Sequence, residues 1–348
     1  MENKRNLDYI KYSFLIILIS LLTISCKQTE SLSQNKALSD GKYDSGLNGN
    51  SFAKSIESIS ESVNKLDVIA FYNTWVFPKN SIFTKSFISN SSPQEYSVTN
   101  TINNESVSGT VITVYYKNSL AGFLTCAHIV DFPDSIFTYY DNDKKTVKSL
   151  SVKIRQQIFI SDIPGGGSVE IVAIDFDKDL AFLKKEVEPQ DRNIKPINLK
   201  VGATTKLEWG SEIYVLGYPN GNFMLTKGIV SIDKSIKKRF LSDALYNKGI
   251  SGSPVFAILD GSENIEWVGM ASSASAQSVQ YLSPRIENDE LTPNKTSYYG
   301  DVFIEDKLLI NYGITFSISI EEIITFIART KSDIKSSGFD TNLLPTSD

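Results

Sequence analysis

Residues Gly249 to Phe256 read GISGSPVF, a serine between two glycines, followed by proline and an apolar run. Glycine supplies positive φ and proline fixes its own φ, so the stretch reads as a tight turn leading into a strand. A serine at such a turn is also a candidate nucleophile, provided that the chain supplies a base, a group that orients the base, and donors for a developing oxyanion. The choice between these readings depends on the rest of the chain.

From about residue 108 the chain is a series of short Val/Ile/aromatic-rich segments: GTVITVYY, AGFLTCAHIV, KSLSVKIRQQIFI, SVEIVAIDF, LAFLKK, SEIYVLGY, FMLTKGIVSI, SPVFAIL, EWVGMASS and GITFSISI. Turn signals such as Pro164-Gly165-Gly166-Gly167 and Pro219-Asn220-Gly221 separate them. Many short strands at this spacing predict an all-β sandwich or a pair of barrels. The segment EEIITFIARTKSDI reads as a helix with Ile323, Ile324, Ile327 and Ala328 on one face. Upstream, Phe52, Ile56, Ile59, Val63 and Leu66 recur at spacings of four and three, which predicts an amphipathic helix; residues 67–77 read as a strand and 79–107 are rich in Ser, Asn and Thr. No fixed-period internal repeat is present.

The chain has 348 residues, 41% apolar and 22% charged, with a formal net charge of −5, which is ordinary globular composition and gives no footprint for a polyanionic partner such as nucleic acid. The first residues are more specific. Lys4, Arg5 and Lys11 precede the apolar run Phe14 to Ile24, which is too short to span a bilayer and ends in Thr23-Ile24-Ser25-Cys26. This resembles a bacterial lipoprotein signal, with residues 1–25 removed and Cys26 lipidated, although Thr23 stands where leucine is usual. Residues 26–50 are polar and read as a flexible tether. Cys126 is then the one remaining cysteine and has no intrachain disulfide partner.

A candidate for the base that the serine needs is His128, the single histidine of the chain, at the end of the segment LTCAH. Asp179 follows in DFDKDLAFL and Ser251 follows that. A turn serine, a buried histidine and an aspartate at a strand start would each be ordinary alone, but the order His, Asp, Ser is that of the chymotrypsin triad.

At these residues the chain resembles the trypsin-like serine peptidases, most closely the HtrA/DegP branch of bacterial envelope proteases. Thr125 to Ile129 resembles the family's histidine segment, Asp179-Leu180-Ala181-Phe182-Leu183 its D-L-A-x-L segment, and Asp243-Ala244-Leu245-Tyr246-Asn247-Lys248-Gly249-Ile250-Ser251-Gly252-Ser253-Pro254 its serine segment. Gly217-Tyr218-Pro219-Asn220-Gly221, Lys227-Gly228-Ile229-Val230-Ser231 and Gly313 to Ile318 resemble further family segments. The resemblance covers about residues 105–330; residues 27–100 and an insertion near 276–310 have no assigned counterpart, and residues 335–348 show no run of β/α pattern of the kind expected of a PDZ domain. It implies two six-stranded antiparallel β-barrels with a C-terminal helix in a peptidase domain over 105–332; the residues outside it read as an N-terminal helical extension over 51–104 and a tail over 333–348.

The resemblance also implies roles. His128 would act as base, Asp179 would orient it, Ser251 would be the nucleophile, and the N–H groups of Gly249 and Ser251 would form the oxyanion hole. Gly249 would let the two amides converge and Gly252 would let the backbone pack closely behind the nucleophile. Ile250 and Ser253 depart from the family's G-N-S-G-G-P. Leu245, six positions before Ser251, would stand at the base of the specificity pocket, with Val268, Gly269, Met270 and Ala271 as one wall and as an edge for an extended peptide, favouring small or medium aliphatic residues. Cys126, near His128, reads as core packing rather than as a nucleophile.

No metal-ligand cluster or phosphate-binding loop stands out, so no cofactor or metal is implied. The expectation is a lipid-anchored endopeptidase of the bacterial envelope, with protein or peptide substrates, membrane contact through the N-terminal lipid and no nucleic-acid partner. The alternative is a catalytically inactive trypsin-like scaffold that binds peptides or proteins at the cell surface.

Overall fold

Along Val63–Val76 the residues Leu66, Val68, Ala70 and Tyr72 are buried while their neighbours are half-buried, the period of two that pins a strand to one face of a core. In a computed structural model of the protein this strand, β1, lies in the middle of a sheet. The structure describes residues 43, 49–141, 143–161, 163, 165, 168–188, 194–232, 238–260, 264–284 and 302–346. The expected signal peptide, Cys26, nearly all of the tether and residues 285–301 of the expected insertion lie outside the described residues.

The elements run α1 (Gly49–Ser60), β1 (Val63–Val76), α2 (Lys85–Ser89), α3 (Pro93–Tyr96), β2 (Thr99–Lys117), β3 (Leu120–Thr125), α4 (Ala127–Val130), β4 (Ser135–Tyr139), β5 (Val147–Ile160), β6 (Glu170–Asp175) and β7 (Leu180–Glu186). They continue with β8 (Lys200–Val201), β9 (Glu212–Gly217), β10 (Met224–Ser231), β11 (Arg239–Ser242), β12 (Pro254–Ile258), β13 (Ile265–Pro284), β14 (Val302–Ser319), α5 (Ile320–Arg329) and α6 (Lys331–Ser336).

Strands β1 to β7 form one antiparallel sheet in the order β4-β5-β1-β2-β3-β7-β6. The second sheet closes: β12-β9-β10-β11-β14-β13 returns to β12, making a six-stranded barrel, and β8 adds to β13 in parallel. The molecule is therefore mostly β, with a half-barrel and a closed barrel, which is the trypsin-like architecture expected from the resemblance.

Two local expectations change. The helix ends at Ser60, so Val63 and Leu66 belong to β1; pairing of Val63 with Ile112 and Leu66 with Gly109 takes the backbone out of helical register. The expected domain boundary at residue 105 falls inside β2, and residues 63–76 and 99–104 are strands of the first sheet rather than an appendage to it.

Each sheet has its own core. Leu66, Val68, Val111, Phe123, Phe182 and Leu183 fill the first; Ile213, Val215, Val255, Ala257 and Val268 fill the second. Trp267, Met270 and Ile318 of the second sheet join the first core, together with Ile320, Ile323, Phe326 and Ile327 of α5. Ser319 caps α5 by accepting the Glu322 N–H, and its buried face uses Phe326 where the sequence pattern had Ala328, which is exposed. Among the described residues no helix is long and apolar enough to cross a membrane.

Candidate active site

His128 sits on the single turn α4, directly after β3, with Cys126 at the N-cap. Its neighbours Ala127, Ile129 and Val130 are buried, so they anchor the turn and leave the imidazole as its outward residue, with 47% of the side chain exposed. Asp179 closes the turn between β6 and β7 at φ 60°, a left-handed conformation that aspartate tolerates better than bulkier residues do. The adjoining Lys178 pairs with Glu322 of α5, which ties this turn to the helix.

The Asp179 carboxylate receives His128 twice, from the backbone N–H (3.0 Å to Oδ1) and from Nδ1 (2.8 Å to Oδ1, 2.9 Å to Oδ2). Ser272 donates its hydroxyl to Oδ2 at 2.7 Å. Burial alone would push the carboxyl pKa up, but the hydrogen bonds and charge of His128, with the Ser272 hydroxyl, outweigh it and hold Asp179 below the usual carboxylate range.

Ser251 lies on the turn before β12, between Gly249 (φ 98°) and Gly252 (φ 88°). A Cβ on Gly249 would meet the Tyr218 carbonyl oxygen at 2.3 Å, and one on Gly252 would meet that of Thr110 at 2.0 Å, so both positions need glycine for space as well as for φ. Ile250, a departure from the family pattern, is accommodated: its side chain is buried in the second core and its N–H donates to the Asn247 carbonyl. Ser253, the other departure, is fully buried, and its hydroxyl has no hydrogen-bond partner among the described residues.

The Lys248 carbonyl accepts the Asn220 N–H at 2.6 Å. A trans peptide directs its N–H away from its carbonyl, so this bond turns the Gly249 N–H away from Asn220. Among the described residues the N–H groups of Gly249 and Ser251 have no acceptor. Ser251 Oγ donates to the carbonyl of Ser272 at 2.7 Å, and no hydrogen bond joins it to His128 among the described residues. Ser272 thus touches both Ser251, through its carbonyl, and Asp179, through its hydroxyl.

Thr110 of β2, fully buried, secures the serine turn to the first sheet. Its N–H donates to the Ser251 carbonyl at 2.8 Å, and its hydroxyl donates to the Gly249 carbonyl at 2.8 Å while accepting the Tyr218 N–H at 3.0 Å. Thr125, just before Cys126, donates its hydroxyl to the Thr110 carbonyl at 2.7 Å. Neither Thr110 nor Ser272 was singled out by the sequence. The one signal for Ser272 was its place at the end of the apolar run EWVGMASS.

The expected pocket wall is placed elsewhere. Val268, Met270 and Ala271 are fully buried, and Gly269 and Met270 pair with β12 on one side and β14 on the other, so this stretch offers neither a wall facing substrate nor a free edge. From Ser272 onward β13 pairs with β14 and no longer with β12. Leu245 is 55% exposed between buried Ala244 and Tyr246, so it stands open to solvent rather than closing the base of a pocket. The Tyr246 hydroxyl shares a 2.7 Å hydrogen bond with Ser317 beneath it.

Cys126, His128 and Asp179 place donor atoms within 4.8 Å of one another, close enough to consider a shared metal ion. The Cys126 thiol is wholly buried, donates to the Ala271 carbonyl at 3.3 Å, and is pushed well above its ordinary pKa by burial and by the Asp179 charge. A thiol in that state is a poor ligand and a poor nucleophile, and His128 and Asp179 already engage each other.

Residues 108–270 match the family model described as the trypsin-like peptidase domain. No curated protein matches. Among solved structures the chain is similar to Deg5 (17% identity, TM-score 0.40, covering 79% of this chain and 91% of that one). It is also similar to the thermostable serine protease AL20 from an extremophilic microorganism (11% identity, TM-score 0.38, covering 79% and 99%) and to human heparin binding protein (12% identity, TM-score 0.32, covering 69% and 87%). Residues 108–270 are thus similar to the trypsin-like peptidase domain, and they lie within the half-barrel and the closed barrel of the fold.

Proposed function

We propose that the protein is a serine endopeptidase, of the kind found in the HtrA/DegP branch, that cuts unfolded or exposed protein segments in the bacterial envelope. The observation that carries this reading is Ser272, whose hydroxyl holds Asp179 while its carbonyl holds Ser251, so that nucleophile, orienting carboxylate and histidine share one locus. With Nδ1 donating to Asp179, the neutral imidazole keeps its lone pair on Nε2, the nitrogen that would receive a proton.

In the reaction, Ser251 turns about its Cα–Cβ bond from the Ser272 carbonyl to His128, which takes the hydroxyl proton as Oγ bonds to the substrate carbonyl carbon. Asp179 holds the imidazole in place and offsets its positive charge. The oxyanion meets the N–H groups of Gly249 and Ser251, and loss of one such donor typically lowers the rate by ~10² to 10³. His128 then delivers its proton to the leaving amine, and water, activated by the same histidine, hydrolyses the acyl-enzyme. Lipid attachment at Cys26 would hold the domain at the membrane by the tether 26–50; a Cys26→Ala protein is expected in the soluble fraction.

A second reading, a silent peptide-binding scaffold, is favoured by one observation, the bond from Ser251 to Ser272 in place of one to His128. Labelling with a fluorophosphonate near neutral pH separates the two. Labelling of the wild type that disappears in Ser251→Ala and His128→Ala supports the peptidase. A folded wild type that resists labelling puts the scaffold first.

A further inference from the structure

Asp179 holds the imidazole and must itself be held. It ends the short turn between β6 and β7 at φ 60°, a conformation that costs a non-glycine residue energy and persists where the surroundings fix it. Within the turn, Asp175 Oδ1 accepts the Lys178 N–H at 3.1 Å and the Phe176 carbonyl accepts the Asp179 N–H at 3.3 Å. Phe176 and Asp177 are exposed and bring the turn no buried packing.

The remaining grips come from α5. The Lys178 side chain is 9% exposed, and its ammonium pairs with the carboxylate of Glu322, 18% exposed, in the first turn of the helix. Arg329, in the last turn, reaches Asp175 Oδ2 at 3.3 Å, so the helix grasps the turn at both ends. The arginine pair is open to water and contributes little, whereas the lysine pair is largely desolvated, and a buried charge deprived of its partner is costly. Leu180, on the other side of Asp179, is fully buried in the core that α5 also joins. Asp179 therefore stands between two fixed residues, and because neighbouring Cα atoms are about 3.8 Å apart, a displaced Lys178 displaces the carboxylate.

The other hold comes from the same part of the chain. Glu322 lies three residues beyond Ser319, which pairs with Gly269, while Ser317 pairs with Ala271, the neighbour of Ser272. This ladder fixes Ser272 relative to the start of α5, so the seat of Lys178 and the hydroxyl on the Asp179 carboxylate reach the first sheet as one piece.

We propose that Lys178 is a positioning residue for the triad, acting through Asp179: seated on Glu322, it sets the backbone of the turn so that the carboxylate meets both the backbone N–H and the Nδ1–H of His128. Its kinetic consequence rests on the reading of the site as a serine peptidase; its effect on His128 does not.

The test uses the full chain without a histidine tag, in which His128 is the single histidine, so the ring nitrogens seen by ¹⁵N NMR belong to it. In mildly alkaline buffer the wild-type ring is expected to carry its proton on Nδ1, and Lys178→Met and Glu322→Gln are each expected to shift it to a mixture of the two tautomers. The rate of fluorophosphonate labelling is expected to fall roughly tenfold in each. The double variant is expected to be no worse than the poorer single one, because the two residues act as a pair. Thermal melts show which variants are folded, and Glu322→Gln, which keeps its size, carries the test if Lys178→Met is not. A wild-type ring protonated on Nε2, a folded variant that keeps the wild-type tautomer, or losses that add in the double variant would overturn the proposal. A wild type that resists labelling while the variants still change tautomer removes the peptidase and leaves the positioning, so the two failures are told apart.

Discussion

Ser251 Oγ donates to the carbonyl oxygen of Ser272 at 2.7 Å. The nucleophile is thereby held at the point where β13 leaves its pairing with β12, and Ser272 commits its hydroxyl to Asp179 at the same time.

Ser272→Ala keeps the carbonyl and removes the donor to Asp179. A hydrogen bond to a charged group is worth about 1.5–3 kcal/mol, so kcat is expected to fall roughly ten- to a hundredfold with KM little changed. Loss of a donor to the carboxylate raises the Asp179 pKa, so the acid loss of stability in urea should set in at a higher pH than in the wild type. An unchanged acid dependence would assign Ser272 to packing alone.

Thr110 positions the oxyanion turn through Gly249 and Ser251. Thr110→Val preserves shape and deletes the hydroxyl, leaving the Gly249 carbonyl and the Tyr218 N–H short of a partner. A fall in kcat of about tenfold or more is expected, with Thr110→Ser retaining most of the activity. Steady-state kinetics of the pair, with thermal melts as control, make the comparison.

Gly252→Ala drives a methyl group into the Thr110 carbonyl at a φ of 88°. Both faults are backbone-level, and a loss of about 3 kcal/mol or more is expected in urea unfolding. A loss near zero would show that the turn relaxes without cost.

Ser253→Ala is expected to go the other way. The buried hydroxyl lacks a partner among the described residues, so removing it relieves a desolvation cost of about 1 kcal/mol or more, seen as a higher urea midpoint.

Asp179 makes stability depend on pH. Its folded-state pKa lies below its unfolded value of about 3.9, so between the two the unfolded chain binds more protons. The stabilisation is fully present above that unfolded value and is lost as pH falls through the folded one. Urea midpoints of the wild type should therefore drop more steeply below about pH 4 than those of Asp179→Asn.

Local chemistry made much of this protein legible. Short Val/Ile/aromatic-rich runs between turn signals marked most strands from β2 onward, Gly and Pro marked the serine turn, and the order His128, Asp179, Ser251 marked the residues the fold brings around Ser272. The outer half of β2 escaped because residues 99–108 are exposed and carry no alternation, so a polar strand looked like a linker. The expected pocket wall, Val268 to Ala271, was misplaced for the opposite reason: an apolar strand reads alike whether it lines a pocket or fills a barrel.

By itself the sequence determined the elements and the residue types available for chemistry, because both depend on near neighbours along the chain. Tertiary structure alone decided that Thr110 would hold a glycine 139 positions away and that Ser272 would join Asp179 to Ser251. Such contacts form only when the two sheets dock, and a serine or threonine destined for one carries no local mark that distinguishes it from any other.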